Sequence, residues 1–237
     1  MSKKHQIPKS NHNDNLFNIK ERFQYNEKQL EIIEKALDNK TKCLFINGLY
    51  GTSKSYLAVL VGLKLLNQRK TSGIFYVRAP IESSTTAKIG AIPGEISDKM
   101  QPYNQIFFDK LTEFLTKPEI DLLIKEERLQ CIPVGFCRGL NWENKYIIVD
   151  EAASLTFDDL ILLMSRCGEH TKIVFIGDSL NQNDIGAKSG FSKMFDLLSD
   201  QESKDNGVFT FTMQSLNDIV RSGFVRFLMK KTGKIKQ

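Results

Sequence analysis

The 237-residue sequence has no apolar run approaching the roughly 20 residues that a membrane-spanning helix requires. Its first residues, Met1-Ser2-Lys3-Lys4-His5-Gln6-Ile7-Pro8, have no apolar core, so they are not expected to act as a secretory signal. Cysteine is scarce: Cys43, Cys131, Cys137 and Cys167 lie in or beside apolar runs, with no C-x-x-C spacing. That pattern argues against a disulfide frame or a zinc site and predicts reduced core thiols in a cytoplasmic protein. His5 and His12 fall in a polar stretch, where solvent exposure is expected rather than metal ligation. Internal repeats and low-complexity tracts are absent. Charge of one sign is also modest, since 33 Lys and Arg against 28 Asp and Glu leave +5, which permits a polyanionic partner without requiring one.

What is present fits one folded domain. Hydrophobic content of 41% and charged content of 26% are those of a globular chain long enough to bury a full core. Residues 1–22 are polar and without periodicity and are expected to be loosely attached, 23–230 form the domain, and 231–237 are a basic tail. Arg221, Arg226, Lys230, Lys231, Lys234 and Lys236 gather near the C-terminus, as a nucleic-acid phosphate contact or as a solvated face.

Three apolar runs end in residues suited to phosphate or metal. The first, ending at Ile46-Asn47, leads into Gly48-Leu49-Tyr50-Gly51-Thr52-Ser53-Lys54-Ser55 and then a helical pattern. This is the layout of a P-loop, in which backbone N–H groups and a helix N-terminus surround an anion. Lys54 would reach the terminal phosphates and the Ser55 hydroxyl would sit on Mg²⁺. Ser53 stands where the usual G-x-x-x-x-G-K-[ST] pattern has glycine, adding a Cβ where the chain normally runs unhindered. The second run, Lys145-Tyr146-Ile147-Ile148-Val149, ends in Asp150-Glu151. Open α/β sheets place ligands at the carboxyl ends of strands, so Asp150 is expected to hold Mg²⁺ through water and Glu151 to orient or deprotonate an attacking water. The third, Lys172-Ile173-Val174-Phe175-Ile176, ends in Gly177-Asp178, with Gln182 and Asp184 following. Those groups can sense a terminal phosphate, and Gly-Asp is equally an ordinary turn. Together the three strand ends point to a nucleotide-hydrolysing core.

The pattern of the chain predicts strands alternating with helices, and hence a mainly parallel sheet. Asn26 and Gln29 form a capping box for a helix carrying Leu30, Ile33 and Leu37. Strands are expected at 43–47, 74–77, 129–134, 145–149, 172–176 and, as an edge, 208–213. Helices are expected at 54–67, up to about 115, at 119–126, from Thr156 through Met164, at 189–198 and at 217–229. In the last, Val220, Phe224, Val225 and Leu228 would face the core. Residues 83–94 are too long and punctuated for a simple connector, and 200–207 read as a polar loop.

The order of these motifs resembles the PhoH-like ATPases, P-loop proteins related to superfamily 1 helicase cores. The pieces that carry the resemblance include Gly51-Thr52-Ser53-Lys54-Ser55-Tyr56, Val77-Arg78-Ala79-Pro80, Pro93-Gly94, Val149-Asp150-Glu151-Ala152, Gly177-Asp178 with Gln182, and Asp218-Ile219-Val220-Arg221. The resemblance implies a single RecA-like domain that binds and hydrolyses ATP, with roles in RNA or DNA metabolism. It maps Gln29 to an adenine-reading position, a task that an amide suits because it both donates and accepts. It also suggests a homo-oligomeric ring, a hexamer on the relatives' pattern, in which Arg221 enters the neighbour's site; Arg78, Arg138 and Arg166 compete for that role. On this reading Gly48, Gly51, Thr52, Ser53, Lys54, Ser55, Tyr56 and Asp178 contact nucleotide, and single-stranded RNA or DNA is the polymer partner. The rival is a degenerate P-loop scaffold with little turnover, which Ser53 favours. Leu49, Tyr50, Ser55 and Ala153 are further departures from the family pattern.

Overall fold

The computed structural model describes residues 16–21, 24–78, 105–181 and 184–232. Asn26 opens the first helix, α1 (Glu27–Leu37): its side chain accepts from the Gln29 amide at 2.9 Å, and the Gln29 side chain accepts from the Asn26 amide at 3.0 Å. The expected capping box is therefore formed. There follow β1 (Cys43–Gly48), α2 (Lys54–Asn67), β2 (Gly73–Arg78), α3 (105–111), α4 (Lys117–Lys125), β3 (Leu129–Pro133) and β4 (Lys145–Asp150). The chain continues through α5 (Phe157–Met164), β5 (Lys172–Gly177), α6 (Phe191–Leu197), α7 (Gln201–Asp205), β6 (Val208–Met213) and α8 (Gly223–Lys231).

All six strands run parallel, in the order β3-β2-β4-β5-β1-β6. In β1 the side chains alternate between two cores. Leu44 and Ile46 join Ile33, Leu57, Leu60 and Phe114 on one face, while Cys43 and Phe45 join Leu160, Phe175 and Phe191 on the other. Burial on both faces explains why the central strands read as continuous apolar runs. Helix α2 is apolar around most of its circumference because it is wedged between the sheet and α1. One strand, β5, separates the P-loop strand β1 from the Asp-Glu strand β4, and all three end on the same edge of the sheet. This is the expected α/β architecture, a parallel sheet flanked by helices.

Several expectations change. Residues 16–21 are not loosely attached: Phe17 is buried, and its amide and carbonyl both bond the Asn67 side chain, at 3.2 and 2.9 Å. The polar stretch 200–207 contains α7, because the Asp200 carboxylate caps the Ser203 amide at 2.8 Å. The last helix starts later than its periodicity implies. Ser215 and Asp218 cap each other in a 3₁₀ turn, and the Gly51 carbonyl then takes the Val220 and Arg221 amides at 3.0 and 3.3 Å, which holds that stretch out of a helix. In α8 Met229 is buried, whereas Phe224 and Leu228 are exposed rather than core-facing. Residues 83–94 and 233–237 lie outside the described residues. The four cysteines are free, and burial pushes the thiols of Cys131, Cys137 and Cys167 up to about 12.

The packing of α5 against α6 depends on Gly190. A Cβ there would lie 2.2 Å from the Phe157 amide nitrogen, and backbone on both sides leaves little room to yield. Gly190→Ala is expected to destabilise the domain by about 3 kcal/mol, read as a lower denaturant midpoint at unchanged m-value.

Candidate functional site

Between β1 and α2 the chain turns through two left-handed residues, Gly51 at φ 78° and Ser53 at φ 66°. Glycine adopts that conformation without cost, whereas serine pays for its Cβ. Ser53 also makes no side-chain cap for α2, so the strain brings no local compensation. The loop keeps its shape by other bonds. The Thr52 hydroxyl donates to the Leu49 carbonyl at 2.9 Å, and the Lys54 ammonium donates to the carbonyls of Gly48 and Leu49 at 2.6 and 2.8 Å. Ser53→Gly is therefore expected to stabilise the domain by about 1 kcal/mol, measured by denaturant unfolding, without loss of nucleotide affinity.

The second wall comes from the ends of β2 and β4, which are neighbours with Arg78 in register with Asp150. Asp150 is buried and heavily bonded. Its Oδ1 accepts from the Glu151 amide at 3.0 Å, the Ser55 hydroxyl lies 3.3–3.4 Å from both oxygens, the Tyr76 hydroxyl bonds Oδ2, and the Lys110 ammonium stands 3.5 Å from Oδ2. Glu151 follows in the left-handed region at φ 56°, a costly conformation for a non-glycine residue of the kind that gathers at active sites. The Arg78 guanidinium lies 3.7 Å from its carboxylate.

These neighbours set the charges. Burial pushes the Asp150 carboxyl up, but the Lys110 ammonium, the Tyr76 hydroxyl, the Glu151 amide and Arg78 outweigh it and hold the group below the usual carboxylate range. Glu151 moves the other way, raised by burial and then by the charge of Asp150, against the pull of Arg78, Lys54 and Lys110. Burial lowers Lys54, while Asp178, Asp150 and Glu151 oppose the shift.

Gly51, Thr52, Ser53, Lys54, Ser55, Tyr56, Asp150, Glu151 and Arg221 all line one cleft of about 560 Å³, with Tyr50, Arg78, Lys110 and Glu113. The Tyr56 ring itself packs on Phe114, 4.4 Å between centroids, so this residue is as much core as cleft. Gly48 contributes its carbonyl to Lys54 and would clash with Met213 if it carried a Cβ. Asp178 is fully buried and spends its carboxylate on the turn that follows, accepting from the amides of Leu180 and Asn181 at 3.1 and 3.0 Å. Gln29 does not line the cleft; its side-chain oxygen is committed to the capping box. Gln182 lies outside the described residues. Arg138 lines a separate groove with Ser154 and Asp159, and Arg166 is likewise not among the cleft residues. Tyr76 and Lys110 went unnoticed in the sequence. Tyr76 carried a weak signal, sitting two residues before Arg78 on the same strand, so that both side chains point to one face of the sheet.

The donor set suits Mg²⁺. A hydroxyl and a carboxylate are hard oxygen ligands, and no cluster of three or more His, Cys, Asp or Glu occurs among the described residues. Mg²⁺ is commonly held by one or two carboxylates with substrate phosphates, rather than in an all-protein cage.

A family model described as PhoH-like protein matches residues 20–232. A PhoH-like protein of Mycobacterium tuberculosis is 29% identical over 167 residues, covering 70% of this chain and 46% of that protein. Another, from Synechocystis, is 28% identical over 188 residues, covering 78% and 55%. The chain thus spans about half the length of these curated relatives. Among solved structures, the SWI2/SNF2 ATPase core of Sulfolobus solfataricus in complex with dsDNA aligns at a TM-score of 0.44 and 14% identity, over 86% of this chain and 48% of that one.

Proposed function

The chain belongs to the PhoH-like protein family, and from that premise we propose that it is an Mg²⁺-dependent ATP hydrolase acting in RNA or DNA metabolism. One observation carries the reading: Lys54, Ser55, Asp150 and Glu151, drawn from two strand ends that are not adjacent in the sheet, line a single cleft. A structural turn needs no such convergence.

The amides of the loop and the first turn of α2 hold the phosphates, where the helix N-terminus favours negative charge. Lys54 turns its ammonium from the Gly48 and Leu49 carbonyls to the terminal phosphates. Ser55 and Asp150 are the residues that would hold Mg²⁺, which neutralises charge on the β- and γ-oxygens when bound. Glu151 accepts the proton of the attacking water, and its raised affinity for protons suits a base working nearer neutrality. Arg78 orients that carboxylate. Arg221 lines this chain's own cleft, which favours action on nucleotide held by the same subunit over action in a neighbour's site.

The basic residues Arg226, Lys230 and Lys231 on α8, beside that cleft, offer phosphate contacts to single-stranded RNA or DNA. A homo-oligomeric ring of six remains part of the proposal and is read by mass in solution. The scaffold alternative rests on the strained Ser53.

The test is phosphate release from Mg·ATP, with and without single-stranded RNA or DNA, beside Glu151→Gln. Turnover that vanishes in the variant supports the hydrolase, and stimulation by one polymer identifies the substrate. Bound nucleotide without turnover in the unmodified protein transfers the case to the scaffold.

A further inference from the structure

Asp150 is already surrounded by donors and by one cation. A carboxylate offers about four lone-pair directions. The Glu151 amide and the Tyr76 hydroxyl bond directly to it, the Ser55 hydroxyl lies 3.3–3.4 Å from both oxygens, and the Lys110 ammonium forms an ion pair at 3.5 Å. A divalent cation approaching this carboxylate therefore competes with these groups, and above all with the charge of Lys110. The Glu151 amide is backbone on the same turn. Tyr76 is fully buried, and its ring is stacked on Phe107 at 4.7 Å and 12°. Ser55 is itself the hydroxyl that completes the metal's donor set. Lys110 alone sits on a long flexible stem, with a quarter of its side chain in solvent.

We infer that Lys110 is the resident counter-cation of Asp150, which the divalent metal must displace, so that Lys110 sets how strongly metal strengthens nucleotide binding. The inference rests on the reading of Asp150 as a metal-holding carboxylate. Lys110 is thus a positioning residue, not a catalytic one. Its backbone is fixed by the Tyr76–Phe107 stack, because Phe107 lies one helical turn earlier on α3. What moves is the ammonium, and Glu113, which lines the same cleft, offers it a carboxylate when it leaves. Lys110 is also the strongest influence holding Asp150 ionised against its burial. Removing Lys110 should leave an under-compensated buried carboxylate that a divalent cation binds more readily.

The experiment compares the affinity of the full chain for a non-hydrolysable ATP analogue in excess EDTA and in saturating Mg²⁺, by titration calorimetry with no turnover. The ratio of the two affinities is the metal gain. In Lys110→Met that gain should rise on the order of tenfold, the scale of one charge pair at this distance when screened nearly as in bulk water. Lys110→Arg, which keeps the charge, should stay near the unmodified ratio. A merely structural lysine would leave the ratio unchanged or reduce it, and either result in Lys110→Met overturns the inference. Asp150→Asn separates the two ideas. If it abolishes the metal gain while Lys110→Met leaves the gain unchanged, the metal site stands and the inference falls. If the unmodified protein shows no metal gain, both fall.

Discussion

Glu151→Gln should lower phosphate release from Mg·ATP by about 10²- to 10⁴-fold, the contribution typical of a positioned general base, while nucleotide still binds. The side chain is held where it is by the left-handed turn after β4 and by Arg78, and glutamine fits the same space without the ability to take a proton. The pH dependence follows from the direction of its shift. Glu151 is raised by burial first and by Asp150 second, so on acidification its carboxylate is lost at a higher pH than an ordinary glutamate. Activity of the unmodified protein should therefore rise with pH through that raised value, and residual activity of the variant should lack this limb. Stability gives an independent control. A group whose folded pKa is raised favours the fold while protonated and loses that contribution as pH rises through the folded value. At neutral pH the ionised Glu151 is thus a cost, and Glu151→Gln should melt no lower than the unmodified protein. A variant that turned over normally would remove Glu151 from the reaction.

Lys54→Ala should weaken ATP binding by about 10- to 150-fold, the equivalent of the roughly 1.5–3 kcal/mol of a hydrogen bond to a charged group. The ammonium is nearly enclosed by the loop and bonds two of its carbonyls, within the field of Asp178, Asp150 and Glu151. Its removal leaves the Gly48 and Leu49 carbonyls without that donor and subtracts positive charge from a cleft already carrying the carboxylates of Glu113, Asp150 and Glu151. Phosphate would then meet a more negative wall. Lys54→Arg should not restore binding, because a planar guanidinium does not fit a niche shaped for one compact ammonium between two carbonyls. Equilibrium titration with a fluorescent nucleotide reads both variants. Undiminished affinity in Lys54→Ala would mean that this loop does not grip the phosphates.

Much of this site is written in contiguous segments. The glycine-bearing turn after β1, the Asp-Glu pair after β4 and the Asn26–Gln29 capping box each need only neighbours along the chain, so strand and helix signals locate them directly. The alternation of apolar runs with amphipathic segments likewise dictates a parallel α/β sheet. Local chemistry misleads where a distant backbone group intervenes. The periodicity of 217–229 reads as one helix, yet the Gly51 carbonyl binds the Val220 and Arg221 amides and delays α8 to Gly223. The same contact sets the Arg221 backbone beside the loop, where a Cβ on Gly51 would lie 3.0 Å from the Arg221 Cβ.

The sequence by itself determined the residue types that line the candidate site, because the loop, the strand ends and their caps are built from local backbone geometry. Only the tertiary structure decided which side chains share Asp150. Strand order sets β2 beside β4, bringing Tyr76 to that carboxylate, and packing of α3 on β2 brings Lys110. Tyr76 precedes Asp150 by 74 residues, a separation across which no local pattern can specify a contact. Such a pairing forms only when burial of both faces of the sheet selects one strand order.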